Sequence, residues 1–289
     1  MRDAVRFFGQ FLVDHGHVSR DALEAAVAFQ QSVNVPLGAL GLAKGWLSER
    51  QVLLVHAEQR RTDRRFGEIA VQRGFLSRAQ LDDLLREQAE ARMLLGEALV
   101  HQGVIARDAL DRALADYQRE QARAAERVRQ ELAGAPEPAL ATLAADVTCR
   151  VLLRVAKVAA KCTGVVDEAE LFGRERVLWQ DVRGPRPFCY VLPVDDVELL
   201  DLVAGMVAGE EAGEPRPTEV DDLARELAAE LLGAIVGQLA ANLSAGGEKV
   251  EPGEPQLGTT LPPPHAGPRV VVGLLLPGGP LAFALDVAG

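Results

Sequence analysis

The chain has 289 residues, with 31 Lys+Arg against 42 Asp+Glu, 48% hydrophobic and 4% aromatic side chains, and three cysteines. At about 100–200 residues per domain this length predicts roughly two domains, each able to bury a core, and the composition is globular rather than disordered. The net charge of −11 argues against a general DNA or RNA binder, because neutralising phosphates requires a basic face.

The charge is unevenly spread. Residues 1–133 carry 19 basic and 19 acidic side chains, so residues 134–289 hold the whole deficit, which suggests modules with different partners. No apolar run approaches the ~20 residues of a membrane span, and the opening MRDAVRFFGQ does not read as a signal peptide. The expectation is a cytoplasmic chain with no transmembrane segment. Cys149, Cys162 and Cys189 lack metal-ligand spacing and the five histidines form no HxxxH or HExxH pattern, so buried reduced thiols and no metal site are expected.

In chain order, the first feature is a repeat. Four 24-residue segments start at Phe7, Pro36, Arg65 and Leu94 and align without gaps across five-residue spacers, a period of 29. Glycine holds the third place in each (Gly9, Gly38, Gly67, Gly96) and the tenth place in each (Gly16, Gly45, Gly74, Gly103). The pattern predicts a short helix after the first glycine, ended by the second at positive φ. Ser19, Ser48 and Ser77 stand where a second helix needs an N-cap, with Ala106 the exception. That second helix carries apolar residues four apart, such as Leu81 and Leu85. A single repeat cannot bury its own stripe, so repeats must stack.

This arrangement resembles the MshEN-type domain, the N-terminal domain of GspE/PilB-type ATPases of type II secretion and type IV pilus assembly. That family uses paired 24-residue motifs with a five-residue spacer, beginning Arg-Leu-Gly and ending in Gln. The resemblance covers two tandem domains, 7–59 and 65–117. It implies that the motif pair binds cyclic di-GMP through Arg, backbone at Gly, and apolar side chains. Carried over, the nucleotide-binding residues are Arg65, Phe66, Gly67 and Gln88 of the third repeat and Leu95 and Gly96 of the fourth. The fourth begins with Leu94 and ends with Tyr117, and the first two begin with Phe7 and Pro36. A dianionic ligand needs cationic or N–H partners, so these departures weaken the ligand set while leaving the packing residues, which would serve equally in a helical stack for protein contact. No GxxxxGK[ST] follows, which excludes the ATPase motor itself.

Residues 118–138 read as a helical linker, rich in charge and helix formers until Gly134, Pro136 and Pro138. Beyond it, 139–161 reads as an apolar helix. Arg176 to Val194 is a hairpin turning near Gly184–Pro185, and Asp195 and Asp196 cap a helix to about Ala208. A long helix spans about 218–243, and the C-terminal end is a hairpin turning at Gly278–Gly279. Acidic Gly/Pro stretches at 209–217 and 245–268 read as loops. The expected class is therefore multidomain: an all-α half of four 29-residue helical repeats, then an α+β domain at 139–289, an antiparallel sheet with long helices on one face.

In the long helix Ala229, Gly233, Gly237 and Ala241 form a stripe of small residues. Mid-helix glycines cost about 1 kcal/mol each relative to alanine, so the stripe implies close packing on a sheet or helix. The segment ELAAELLGAIVGQLAANL also resembles the signature helix of the CheC/CheX-like chemotaxis phosphatases, Glu-x-x-Asn followed four residues later by Gly. In that family the Glu meets a receiver's lysine and the Asn orients the attacking water. Here Glu230 takes the Glu place and Gly237 the later glycine, but Gly233 stands where Asn belongs, and positioning is most of what such hydrolysis requires.

The sequence thus points to a non-catalytic bacterial signalling adaptor. Its repeats sense cyclic di-GMP or contact protein, and its degenerate CheX-like domain meets a response-regulator receiver or its own copy as a homodimer. Two alternatives stand beside it: an aspartyl-phosphate phosphatase with Glu230 as the surviving catalytic residue, and a structural component of a pilus, motility or secretion system. No cofactor other than the cyclic dinucleotide is implied.

Overall fold

The computed structural model describes residues 5–62, 64–207 and 217–288. Most of the predicted loop at 209–217 lies outside them. The chain divides into two compact bodies, residues 1–59 with 64–123, and residues 124–289 with 60–63.

In the first body each sequence repeat carries a seven-residue helix and a longer one: α1 (Phe8–Asp14) and α2 (Arg20–Val33), α3 (Leu37–Ala43) and α4 (Glu49–Arg61), α5 (Phe66–Gln72) and α6 (Arg78–Ala91), α7 (Leu95–His101) and α8 (Arg107–Ala133). The short helices start one residue before the first glycine rather than after it. Glycine is tolerated there because its missing Cβ makes room for an apolar side chain of the long helix: a Cβ on Gly67 would lie 2.5 Å from Leu81 Cδ1, and one on Gly96 2.9 Å from Leu110 Cδ2. The tenth-place glycines have φ of 69°, 67°, 71° and 69°, left-handed values that end each short helix at little steric cost. Ser19 and Ser77 accept from the backbone N–H three residues on, as does Ser48 from Gln51.

The repeats do not pack in sequence order. One apolar cluster joins the first and fourth (Phe11, Leu12, Val18 with Leu99, Ile105, Leu110), and another joins the second and third (Leu47, Val52, Val55 with Ile69, Leu76, Leu84). Both clusters therefore draw on both of the stretches 7–59 and 65–117. The last residue of each repeat marks the same pairing. The Gln30 amide donates to the Met93 carbonyl at 3.1 Å, Gln59 to Arg64 at 3.4 Å and Gln88 to Val35 at 3.0 Å, while the Tyr117 hydroxyl donates to Arg6 at 3.0 Å. Each accepting residue is the one that precedes a repeat. Asn34 adds a two-point clamp, accepting from the Met93 N–H at 2.8 Å and donating to its carbonyl at 2.9 Å.

The second body is an antiparallel sheet in the order β1-β6-β7-β3-β2-β4, with β5 also on β2. The strands are β1 (Lys161–Val165), β2 (Arg176–Arg183), β3 (Phe188–Val194), β4 (Glu251–Pro252), β5 (Gln256–Gly258), β6 (Arg269–Leu276) and β7 (Gly279–Val287). Helices α9 (Pro138–Arg154), α10 (Asp196–Val207) and α11 (Asp222–Ala245) accompany it. Tyr190 and Phe283 are buried and stack at 4.9 Å between centroids, and the Tyr190 hydroxyl meets Thr148 Oγ1 of α9 at 2.8 Å. On the alternate strand positions a second cluster gathers Val177, Cys189, Val191, Val271 and Ala284 under Leu171. There Arg269 grips the almost fully buried Asp286 with two nitrogens, Nη2 at 2.7 Å from Oδ2. A buried carboxylate requires such a paired partner.

Three expectations are corrected. The helix read over 139–161 ends at Arg154: Val155 and Ala156 are buried but no longer helical, Lys157 adopts φ 58°, and Lys161 already opens β1. The apolar run continues through this break, so periodicity has nothing to mark it. The stretch 245–268 contains β4 and β5, too short to show an alternation. The last hairpin turns at Pro277–Gly278, because Leu276 pairs with Gly279.

Replacing Asn34 with alanine leaves the half-buried Met93 N–H without this partner, while the Met93 carbonyl keeps the Gln30 amide, an expected loss of about 1–3 kcal/mol. It is read as a lower urea midpoint with unchanged slope. Gln88→Ala, whose bond is exposed, should cost less.

Candidate functional site

Helix α11 begins where the Asp221 carboxylate accepts from the Ala224 N–H at 2.8 Å. Leu227, Leu231, Leu232, Ile235, Val236 and Leu239 are buried. By length and composition this 24-residue helix could cross a membrane, a length of apolar helix the sequence reading does not anticipate, but these side chains belong to the core of the body. The remaining side of the helix carries exposed Glu226, half-buried Ala229, Glu230, Gly233 and Gly237, and exposed Ala241.

This side overturns the expectation that the small residues serve tight packing. A Cβ on Gly237 would meet nothing within 4 Å, and one on Gly233 only Pro255 Cγ at 3.7 Å. Neither glycine is required by a neighbour among the described residues, so the stripe is a strip of helix backbone bordered by carboxylates. No side chain at Gly233 can orient a water above it. Asn242, more than two turns on, donates its amide to the Gln238 carbonyl at 2.7 Å on its own helix.

The six residues assigned to nucleotide binding do not converge. Arg65 is exposed at the N-cap of α5, its backbone N–H donating to the Glu68 carboxylate at 3.2 Å. Beside it the Phe66 ring lies 5.4 Å from that of His56, and Gly67 seats Leu81, all within the contact of second and third repeats. Gln88 lies at the junction of α6 with the segment before α3, its amide spent on Val35. Leu95 and Gly96 lie in the other pair, Leu95 Cδ2 being 3.4 Å from where a Gly9 Cβ would stand.

Gln88 does border an open cavity of about 400 Å³, with Asn34, Val35, Pro36, Leu85 and Arg92. Arg92 is a cationic residue that the sequence reading passes over. It falls in a spacer, outside the aligned motif, and only the pairing of second and third repeats brings it beside Pro36.

The three cysteines are free. Burial pushes the Cys149 thiol up to about 12 and raises Cys162 and Cys189 as well, the last with help from the Asp181 and Asp286 carboxylates. Such thiols stay protonated at neutral pH and offer no nucleophile.

No family model matches this sequence, and no curated protein matches it. The solved structures similar to it are CheX- and CheC-like chemotaxis proteins and cover about half of it. Chemotaxis protein CheX from Vibrio vulnificus is 12% identical, over 51% of this chain and 98% of that one, with a TM-score of 0.45. CheX from Desulfovibrio desulfuricans gives the same figures, 12%, 51%, 98% and 0.45. The CheX-CheY-BeF3-Mg complex from Borrelia burgdorferi is 15% identical, over 51% of this chain and 97% of that one, at 0.40.

Because no neighbour fills the space over Gly237, Gly237→Ala should stabilise the protein by up to about 1 kcal/mol through helix propensity. The measurement is thermal unfolding, with a rise in midpoint expected. A fall would mean that packing within the chain demands the glycine.

Proposed function

We propose that this chain is a non-catalytic signalling adaptor whose α11 face docks the receiver domain of a response regulator. The observation that carries the reading is the open backbone strip at Gly233 and Gly237 beside Glu230 and Glu226. Two glycines in mid-helix cost stability, and since none of the described residues occupies the space above Gly237, an approaching partner supplies the reason to keep them. The carboxylates on the same edge suit a lysine-bearing partner, as the resemblance of α11 to the CheC/CheX signature helix implies. The missing amide at 233 removes the water-orienting group, which supports binding without hydrolysis. The reading includes a cytoplasmic location, where receivers act. A second copy of this chain, or a pilus or secretion component, is the competing occupant of the same face.

Receiver domains with and without beryllofluoride, titrated against the full chain, test this. The activated form should bind more tightly, and Gly237→Leu, which fills the strip, should abolish binding without lowering the unfolding midpoint. Phosphorylated receiver should decay at its spontaneous rate with this protein and several-fold faster with Gly233→Asn, which restores the amide. Acceleration by the unsubstituted chain, lost in Glu230→Ala, would make it a phosphatase instead. Concentration-dependent self-association abolished by Gly237→Leu would assign the face to a homodimer.

Cyclic di-GMP sensing by the repeats is the second part of the reading, favoured by the cavity that Gln88, Pro36 and Arg92 share. Calorimetry of cyclic di-GMP with the full chain should give saturable heat that Arg92→Ala removes. Heat lost in Arg65→Ala alone would move the ligand to the N-cap of α5, and no heat would leave the repeats as a protein-contact module.

A further inference from the structure

The second body holds a cavity of about 620 Å³ that α11 does not line. Its walls are the segment following α9, one side of α10 from its cap to Gly205, and the β6–β7 turn. Two backbone features fix these walls. Lys157 turns the chain at φ 58°, with its ammonium folded back onto the Arg154 carbonyl at 2.7 Å. Gly205 lets α10 lie directly against the Ala156 backbone, where any Cβ would collide with the carbonyl. Apolar surface comes from Val158, Val197, Leu276 and Pro277, and Val197 is 70% exposed.

Three carboxylates face this space, and they are not equivalent. Asp195 and Glu198 cap α10 reciprocally and share Arg174, whose Nη1 lies 3.1 Å and 2.6 Å from them. One guanidinium thus serves both carboxylates. Asp201, one turn further along α10, has no hydrogen bond or ion pair among the described residues, and its carboxylate reaches over the hairpin turn toward Gly278. The one lysine in the lining is held by a carbonyl. With Arg174, the cavity sets two cations against three carboxylates, a net charge of −1 beside apolar walls, and Asp201 is the carboxylate that neither cation pairs among the described residues.

We infer that this cavity binds a small organic cation, an ammonium or guanidinium group on an apolar body, with the charged head on Asp201 and the body against Val197 and Pro277. The volume falls in the range of small-ligand sites, about 300–1,000 Å³. A single lysine or arginine side chain from a partner protein would leave most of it empty, so the occupant is a free small molecule.

Phenethylammonium is a suitable probe, and phenylacetate, with nearly the same body and the opposite charge, its control. Titrated into the isotope-labelled full chain and followed by amide chemical shifts, phenethylammonium should saturate and shift residues of α10 and the β6–β7 turn, while phenylacetate should not. Asp201→Asn, at an exposed position, should leave the unfolding midpoint unchanged and weaken binding about fivefold, the scale of one partly exposed charge pair. Ala204→Leu, which narrows the cavity one turn from Asp201, should weaken binding about tenfold or more. Equal affinity for phenylacetate, an unchanged affinity in Asp201→Asn, or no saturation at millimolar probe would each overturn the inference.

Discussion

Each of the four repeats ends in a side chain that donates to the backbone carbonyl just ahead of another short helix, and the packing of the first body depends on that exchange. The carbonyl belongs to a spacer, outside any helix, and needs a donor that the spacer itself does not supply. A glutamine at the end of a long helix reaches it, and so does the longer, stiffer tyrosine at the end of the fourth. Because the donor of one repeat meets the acceptor before another, the bonds run in both directions within each pair. Hydrogen bonds of this kind are modest, about 0.5–1.5 kcal/mol each, so their main effect is to choose which stripes meet. The first-place residues, three of which are not arginine, then serve as the N-caps of short helices. The terminal glutamine, which a nucleotide site would claim, is already engaged.

The second body satisfies its polar groups by a different device. Its central strands β3 and β7 are buried on both faces, which leaves little water to solvate a side chain on either. Tyr190 and Thr148 solve this for each other between sheet and helix, and Asp286 is held by Arg269 across adjacent strands. Removing one partner of such a buried pair is costly because the other keeps its charge without solvent, even where the intact pair contributes little net stability. The free thiol of Cys189 lies next to Asp286 in the register, and burial with two nearby carboxylates keeps it protonated.

The surfaces left unpaired lie on helices. Helix α11 gives most of its large residues to the core and leaves Gly233 and Gly237 on the other side, the reverse of what two mid-helix glycines lead one to expect. A smooth strip flanked by carboxylates can accept another backbone closely, while Gly233 brings no side chain of its own to orient a water. Recognition and hydrolysis place separate demands on such a helix, and the proposed reading asks only for the first. Helix α10 is different: its two capping carboxylates share Arg174, and a third, a turn later, has no such partner among the described residues.

Much of the local structure was determined by the sequence alone. The four tenth-place glycines at left-handed φ, the serine caps and the Asp-x-x-Glu start of α10 are local devices, set by residues within a turn of one another. The hairpins at 176–194 and 269–287 are likewise legible, because strand alternation and turn residues are short-range signals. The end of α9 at Arg154 was not, since buried apolar residues continue past it and a non-glycine residue makes the turn. Neither were β4 and β5, which exist only because β2 offers an unpaired edge. The same period of 29 is compatible with any order of stacking, so the joining of first to fourth and second to third repeats was decided by tertiary structure. That choice also divided the residues carried over for nucleotide binding between two repeat pairs and brought Pro36 beside Gln88 and Arg92. The net charge marked a division near residue 133, but which carboxylates are matched, and that Asp201 is not, depends on where Arg174 and Lys157 point. Composition counts charges, and only packing pairs them.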